Sequence, residues 1–266
     1  MSMLATASQF RDAFTEPEAA TGRTTPVRLG AAAAPAEGAP PAPTVVCFAP
    51  YIAPAGIQQY ARFAAHLRGE HDVWALPAPG FGAGERLPAD IAALGAAHAE
   101  SVRAVRSAGP LVLVGYSSGG WVAHAVAARM EAEGCPPDAV VMVDSFSRVV
   151  PFDPEFLRSM GHQQAERFEF MTAAGDQLTA MGGYLRLFDS WETPEVSVPT
   201  MLVRALEPMP GTTPGVDSRP APPEHISTVF EVPGNHYSMM EDHAETTAGA
   251  LRAWLATVAL PVSARS

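Results

Sequence analysis

The stretch LVLVGYSSGGWVAHAVA, residues 111–127, constrains the fold of this 266-residue chain more than any other part of it. Four consecutive apolar residues lead into Gly115, which is typical of a buried strand. After Gly120 the apolar residues recur at helical spacing. A strand that turns directly into a helix at a glycine-rich corner predicts a parallel α/β sheet, with the corner at its carboxyl edge.

Ser117 and Ser118 stand side by side in this corner, and the glycines decide between them. Centred on Ser117, the pattern G-x-S-x-G has Gly115 and Gly119 at its two ends. Centred on Ser118, the pattern fails because Tyr116 occupies the first glycine position. Side chains at the glycine positions would collide with the strand or the helix in so tight a turn. The sequence therefore predicts Ser117 as a nucleophile, with a plain glycine turn as the alternative.

From residue 45 onward, apolar runs of strand length alternate with helical patterns. This alternation predicts an α/β fold in which helices cover both faces of a mostly parallel sheet. Predicted strands lie within 45–50, 72–80, 110–117, 138–145, 198–208 and 227–236, and predicted helices at 57–67, 89–108, 120–134 and 241–260.

Two segments depart from this alternation. Residues 1–44 are predicted to form a small amphipathic helix and an Ala/Pro-rich linker, which leaves 45–266 as the main domain. Residues 151–190 show helical spacing with no strand between the helices, which predicts a lid above the sheet edge. Ordinary packing helices are the alternative interpretation of this second segment.

Composition and charge exclude several classes of function. A net charge of −11 argues against nucleic acid and against an anionic membrane surface as partners. No apolar run approaches the roughly 20 residues that a membrane-spanning helix needs. Two cysteines are too few for a disulfide scaffold, so we expect a reducing, cytoplasmic setting. No cluster of residues has metal-ligand spacing, and we therefore predict neither a metal nor a bound cofactor.

A serine hydroxyl needs a general base at neutral pH, and His236 is the predicted base. It follows the last predicted strand through VPGNH and precedes the last helix. Its loop therefore leaves the carboxyl edge of the sheet, where Ser117 also emerges. The other histidines lie in helical patterns or in loops before strands, and we interpret them as packing or surface residues.

Two residues qualify as the acid that would orient His236. Asp144 ends the strand after the nucleophile's helix, in VVMVDSF, and Glu207 ends the next core strand, in MLVRALEP. Either residue gives the chain order serine, acid, histidine, which is the order of α/β-hydrolases. The position of the strands alone leaves both candidates open.

From Ser8 to its end, the chain resembles the chain-releasing thioesterase domains of modular type I polyketide synthases. The resemblance rests on SQFRDAF, VVCFAPYIAPAGIQQYARFAAHL, GYSSGG, VVMVDSF and VPGNHYSMMEDHA. It implies the α/β-hydrolase fold with a helical lid. It also implies that the catalytic acid follows the strand after the nucleophile, which corresponds to Asp144. A glutamate at the position of Glu207 is usual in that family without being catalytic.

The resemblance implies release of a full-length polyketide from an acyl carrier protein through an acyl-serine intermediate, by hydrolysis or macrolactonisation. The phosphopantetheine arm would arrive with the substrate, so no cofactor need be bound. Members of the family pair into dimers through N-terminal helices, the first of which precedes the matched segment, so a homodimer stays open. A stand-alone editing (type II) thioesterase, a carboxylesterase and a non-catalytic binding module are the alternatives.

The chain departs from the family pattern around the nucleophile. The family usually reads Gly-His-Ser-Ala-Gly-Ala there, whereas this chain has Tyr116, Ser118 and Gly120. We expect Tyr116 to contact the substrate. Five apolar residues of the predicted lid are expected to join it along a cavity for a long acyl chain: Phe168, Met171, Met181, Tyr184 and Leu187.

The loop after the first core strand also departs from the family, which often has Ala-Gly-Thr-Ala where residues 49–52 read APYI. The resemblance implies that this loop and the amide of Ser118 form the oxyanion hole. Because Pro50 has no N–H, Tyr51 or Ile52 must be the second donor. We also expect the Tyr51 ring to narrow the site.

Overall fold

The apolar runs predicted as strands form the centre of a mostly parallel, seven-stranded sheet. The computed structural model describes residues 6–15, 25–52, 56–145, 175–208, 226 and 228–258. The sheet order is β2 (Val27–Gly30), β4 (Asp72–Leu76), β3 (Thr44–Phe48), β6 (Leu111–Tyr116), β7 (Ala139–Val143), β8 (Thr200–Ala205) and β9 (Thr228–Val232); β1 is Ala13–Phe14 and β5 is Leu87–Pro88. Only β2 is antiparallel to its neighbour in this sheet, and β1 pairs with β5 in a separate two-stranded sheet.

Helices cover both faces of the sheet, which confirms the predicted fold class. Side chains alternate along β3, so that Val45 and Cys47 join one core cluster while Val46 and Phe48 join the other. The helices are α1 (Ala61–Ala65), α2 (Ile91–Val105), α3 (Ser118–Ala132), α4 (Gly175–Leu187) and α5 (Ala244–Leu255). The first cluster includes residues of α1 and α5, and the second includes residues of α2, α3 and α4.

The N-terminal region differs from the predicted helix and linker. A helical turn ends at Phe10, and Phe14 then lies in β1 with its side chain buried against Ala93 and Ala97. Strand β2 forms within the region predicted as a linker and pairs with β4 at the edge of the sheet. Only one residue of β2 is buried, so this strand lacks the apolar run by which the other strands are recognised.

Helix α4 is the described part of the predicted lid, and Arg11 fastens it to the body of the protein. The Arg11 guanidinium donates hydrogen bonds to Asp176 O and Thr179 Oγ1 at the start of α4. It also donates to the carbonyl oxygens of Gly80 and Glu85 in the loop before β5. The remainder of the predicted lid, up to residue 174, lies outside the described residues.

The Tyr60 hydroxyl links the carboxyl ends of β3 and β6. It donates to Phe48 O and accepts from Tyr116 N–H, with both heavy-atom distances 2.7 Å. Burial raises the pKa of Tyr60, so the hydroxyl stays protonated and serves as donor and acceptor together. This side chain therefore positions the last residue before Ser117.

We expect Tyr60→Phe to lower the free energy of unfolding by roughly 1–3 kcal/mol for each buried group that loses its partner. Two backbone groups lose their hydrogen bond to the Tyr60 hydroxyl, the N–H of Tyr116 and the C=O of Phe48. Tyr184→Phe is the matched control, because the Tyr184 hydroxyl donates one hydrogen bond, 3.0 Å long, to Pro79 O. Urea denaturation of both variants checks the prediction, and an equal or larger loss in Tyr184→Phe would contradict it.

The buried His98 predicts that stability falls in mild acid. Its ring packs edge-on against Phe48, and burial lowers its pKa from 6.5 to about 3. The unfolded chain binds this proton more tightly than the folded protein does. The contribution of His98 to the free energy of unfolding is therefore fully present above the unfolded-state pKa and declines as the pH falls toward the folded-state pKa. The His98 contribution to this decline is roughly 2 kcal/mol between about pH 7.5 and pH 5.

Replacing His98 by leucine should remove that part of the pH dependence. We expect urea denaturation to show a smaller difference in unfolding free energy between the two pH values, by roughly 2 kcal/mol. Burial also lowers the pKa of His71, so a residual slope of the same sign should persist. A slope in the variant equal to that of the unchanged protein would refute the assignment.

Candidate active site

Ser117 lies at the turn between β6 and α3, in a backbone conformation that residues other than glycine rarely adopt. Its φ is 55° and its ψ is −131°. A Cβ at Gly115 would lie 2.2 Å from Gly119 O, and a Cβ at Gly119 would lie 2.3 Å from Phe48 O. Both glycines are therefore required by close backbone approach, and together they lift Ser117 above the carboxyl edge of the sheet.

The structure brings Ser117, His236 and Asp144 into one hydrogen-bonded line. His236 Nε2 lies 3.1 Å from Ser117 Oγ, and His236 Nδ1 lies 2.6 Å from Asp144 Oδ2. The His236 side chain is 7% exposed and that of Asp144 is 3% exposed. This is the geometry in which an imidazole takes a proton from a hydroxyl while a carboxylate stabilises the imidazolium.

Asp144 is held from the neighbouring strand as well as by His236. Its N–H donates to Val203 O at 2.7 Å, and its Oδ1 accepts from Ala205 N–H at 3.1 Å. The φ of Asp144 is 46°, so the residue leaves β7 in a sharp turn that presents its carboxylate to the imidazole. Glu207, the other candidate acid, is exposed, and its backbone N–H donates to Gly234 O.

Tyr116 packs against His236, whereas the sequence predicted a substrate contact. Its hydroxyl donates to His236 O at 2.7 Å, and its ring stacks on the imidazole with 4.9 Å between centroids. The side chain is buried, and burial together with the charge of Asp144 raises the pKa of Tyr116. The protonated phenol thus fixes the backbone of the histidine loop, while the predicted substrate contact of Tyr116 stays a prediction.

Ser145 is a second residue near the site that the sequence analysis did not single out. Its hydroxyl donates to Ser117 O at 2.5 Å and is buried next to Asp144. A Cβ at Gly120 would lie 2.0 Å from Ser145 Oγ and 2.5 Å from Ser145 Cβ. Glycine at position 120 therefore provides the space for a side chain that ties the acid's loop to the nucleophile's backbone.

The loop predicted to supply the second oxyanion donor lies beside Ser118. Tyr51 N–H donates to Ser118 Oγ at 3.1 Å, in a buried hydrogen bond. Pro50, just before it, carries no N–H. The amide of Ile52 is the next donor along the loop, and Ser118 N–H lies at the start of α3, where backbone donors point out of the helix.

The Tyr51 ring is buried in an aromatic cluster with α4 and the residue that follows it. It stacks on Tyr184 at 5.1 Å and on Phe188 at 5.2 Å between centroids. Tyr184 is fully buried, and its hydroxyl donates to Pro79 O. Tyr184 therefore anchors α4 to the oxyanion loop, and its predicted contact with the acyl chain stays a prediction.

The other residues predicted to contact the acyl chain divide into two groups. Met181 and Leu187 lie on α4 and are half-buried. Phe168 and Met171 lie outside the described residues. The cavity itself therefore stays a prediction.

Neither a metal-ligand cluster nor a membrane-spanning helix is present in the described ranges. Within them, no group of three or more His, Cys, Asp or Glu side chains is arranged to hold a metal ion. None of the helices in this part of the chain combines the length and apolar character that crossing a bilayer requires.

Comparison with known proteins gives consistent matches. A family model described as a thioesterase domain matches residues 43–188. Polyketide synthase GfsE of Streptomyces halstedii is 45% identical over 259 residues, 96% of this chain and 7% of GfsE. The spectinabilin polyketide synthase system protein NorC of Streptomyces orinoci is 40% identical over 258 residues, 92% of this chain and 11% of NorC. The chain thus spans only a small part of the length of these relatives.

Solved structures extend the comparison to the fold. The NocB thioesterase domain, in covalent complex with a fluorophosphonate nocardicin G analogue, aligns with a TM-score of 0.63. The two sequences are 24% identical, and the alignment covers 81% of this chain and 96% of that one. The Vlm2 thioesterase domain with a bound dodecadepsipeptide aligns over 87% of this chain and 98% of its own, with a TM-score of 0.60 and 19% identity. The fold is therefore the α/β-hydrolase fold of thioesterase domains.

Proposed function

The chain belongs to the thioesterase domain family, and on this premise we propose that it releases a finished polyketide chain from an acyl carrier protein. The observation that carries the proposal is the line of hydrogen bonds from Asp144 through His236 to Ser117. A thioesterase acts on a thioester, and a serine needs a general base, oriented by an acid, to attack one.

The first half of the proposed reaction forms an acyl-enzyme. Ser117 Oγ attacks the thioester carbonyl carbon while His236 Nε2 takes the hydroxyl proton, and Asp144 stabilises the imidazolium. Backbone amides beside the nucleophile stabilise the oxyanion of the tetrahedral intermediate. The carbon–sulfur bond then breaks, the proton on His236 passes to the leaving thiol, and the acyl group remains as an ester on Ser117.

The second half returns Ser117 to its free state. His236 takes a proton from a second nucleophile, which attacks the ester carbonyl. The bond between the acyl carbon and Ser117 Oγ then breaks, and His236 delivers the proton to Ser117 Oγ. If the nucleophile is water the product is a free acid, and if it is a hydroxyl of the bound chain the product is a macrolactone. The same residues serve both outcomes, so the choice depends on how the acyl chain lies in the site.

Similarity to parts of two polyketide synthases supports the substrate class. GfsE and NorC are named as polyketide synthases, and the matched segments include nearly all of this chain. In such a system the acyl chain would be carried on the phosphopantetheine arm of an acyl carrier protein. The net charge of −11 gives no general attraction to an acidic carrier, so docking would depend on local arginine patches.

Incubation with a long acyl-pantetheine thioester that carries a distal hydroxyl tests the proposal. We expect mass spectrometry to show an acyl adduct on Ser117 and either a free acid or a lactone as product. Ser117→Ala, which lacks the attacking oxygen, should form neither adduct nor product. Turnover of simple alkyl esters at a rate equal to or above that of the thioester would favour a carboxylesterase instead.

A series of acyl-pantetheines from about two to twelve carbons separates chain release from editing of short acyl groups. Each methylene that becomes buried contributes about 0.8 kcal/mol, so kcat/KM should rise up to roughly fourfold per methylene until the cavity is full. Replacing Met181, half-buried on α4, by aspartate should flatten this rise. A flat or falling series in the unchanged protein would favour a small-acyl editing thioesterase.

A further inference from the structure

The described part of the loop after β3, which ends at Ile52, has few amide donors to offer an oxyanion formed at Ser117. Pro50 has no N–H, and the N–H of Tyr51 already donates to Ser118 Oγ at 3.1 Å. The acceptor belongs to the residue that directly follows the nucleophile, and the bond is buried. The first loop amide that this bond leaves available is therefore that of Ile52.

Tyr51 is held from two sides. Its ring is 1% exposed and is stacked on Tyr184 and Phe188, while its backbone N–H is held by the Ser118 hydroxyl. Because packing fixes the ring, the hydrogen bond to Ser118 sets the direction in which the following peptide faces. That peptide carries the N–H of Ile52.

Resting on the proposed function, we infer that Ser118 is a positioning residue for the oxyanion site. Its hydroxyl accepts the hydrogen bond from the N–H of Tyr51. The amides of Ser118 and Ile52 are then the pair that donates hydrogen bonds to the oxyanion. The Ser118 side chain touches no reacting atom in this role, since it acts through the loop. The sequence left Tyr51 and Ile52 open as the second oxyanion donor, and this arrangement assigns that role to Ile52.

The physical reason is the steep dependence of oxyanion stabilisation on distance. A donor is effective when it lies roughly 2.7–3.1 Å from the position that the charged oxygen will occupy. Without the Ser118 hydroxyl, the buried N–H of Tyr51 would turn toward another acceptor, because an unpaired buried donor is costly. That movement would carry the amide of Ile52 away from the place where the charge develops.

The test compares Ser118→Ala and Ser118→Thr with Ser101→Ala. Ser101 is the matched control, because it is also 8% exposed and its hydroxyl donates a hydrogen bond of 3.1 Å to Ala97 O in α2. For cleavage of an acyl-pantetheine thioester, we expect Ser118→Ala to lower kcat roughly 10- to 100-fold, less than loss of a donor itself. KM should change less than about threefold, and Ser118→Thr should keep most of the kcat.

A second measurement uses a trifluoromethyl ketone, which adds to a catalytic serine and places a charged oxygen in the oxyanion site. Ser118→Ala should weaken its inhibition by about the same factor as kcat, while Ser101→Ala should leave both near their original values. A kcat for Ser118→Ala equal to that of Ser101→Ala, or a change confined to KM, would overturn the inference.

Failure of the proposed function would be seen separately. If the unchanged protein cleaves no thioester, the rate at which a fluorophosphonate labels Ser117 replaces kcat, since its phosphonyl oxygen needs the same donors. Slower labelling in Ser118→Ala than in Ser101→Ala would still support the positioning role. Equal labelling rates in proteins of equal melting temperature would reject it.

Discussion

Replacing His236 by alanine is expected to lower kcat for thioester cleavage by roughly 10⁴- to 10⁶-fold. The Ser117 hydroxyl lies 3.1 Å from His236 Nε2, and the described structure around it offers no second base at that distance. Without the imidazole, attack requires a hydroxyl that keeps its proton, and the leaving thiolate receives none. Steady-state cleavage of an acyl-pantetheine and the rate of fluorophosphonate labelling should both collapse.

His243 is the control for this prediction. It lies seven residues further along the same segment, half-buried just before α5, and its N–H donates to Ser238 O. His243→Ala should change kcat by less than about threefold, because that ring takes no part in the line of hydrogen bonds to Ser117. Comparable losses in both variants would mean that the active loop has been misplaced.

The features that could be predicted from the sequence depend on short-range patterns. The central strands are apolar on both faces, so their runs stand out, and the glycines around Ser117 are required by contacts within a few residues. His236 and Asp144 each follow such a strand. Parallel strands end at one edge of the sheet, which is why three residues far apart in sequence were expected to meet.

The features that were missed depend on pairs of residues distant in sequence. The bond from Tyr116 N–H to the Tyr60 hydroxyl joins residues 56 positions apart, and that from Tyr51 N–H to Ser118 joins residues 67 apart. Propensity and periodicity describe each partner separately and carry no information on the contact. Edge strand β2 was missed for a related reason, since a mostly exposed strand has no continuous apolar pattern.

Tyr184 and Tyr116 make packing contacts that residue type alone does not predict. An excess of apolar residues in a lid predicts that one face of it is directed toward the substrate. An aromatic residue on that lid can equally pack against the body of the protein. Tyr184 packs in this way: its ring stacks on Tyr51, and its hydroxyl donates to Pro79 O. Tyr116, next to the nucleophile in sequence, stacks its ring on His236.

The choice between two acids could not be made from strand order, and the structure explains why position alone is insufficient. Asp144 and Glu207 both follow a strand of the sheet, β7 and β8 respectively. Only Asp144 turns back sharply, with a φ of 46°, and lies 2.6 Å from His236 Nδ1. Glu207 continues outward and is exposed.

Asp144→Asn is therefore expected to lower kcat by roughly 10²- to 10⁴-fold, whereas Glu207→Gln should retain most activity. The N–H of Ala205 donates to Asp144 Oδ1, so the amide oxygen of the asparagine would occupy that site and its NH₂ would face His236 Nδ1. An NH₂ donor there stabilises the tautomer that carries its proton on Nε2, and this tautomer cannot accept the proton of Ser117. Steady-state kinetics of the two variants with one thioester substrate measure the effect, with melting temperatures to show that both are folded. A larger loss in Glu207→Gln would transfer the role of the acid to the end of β8.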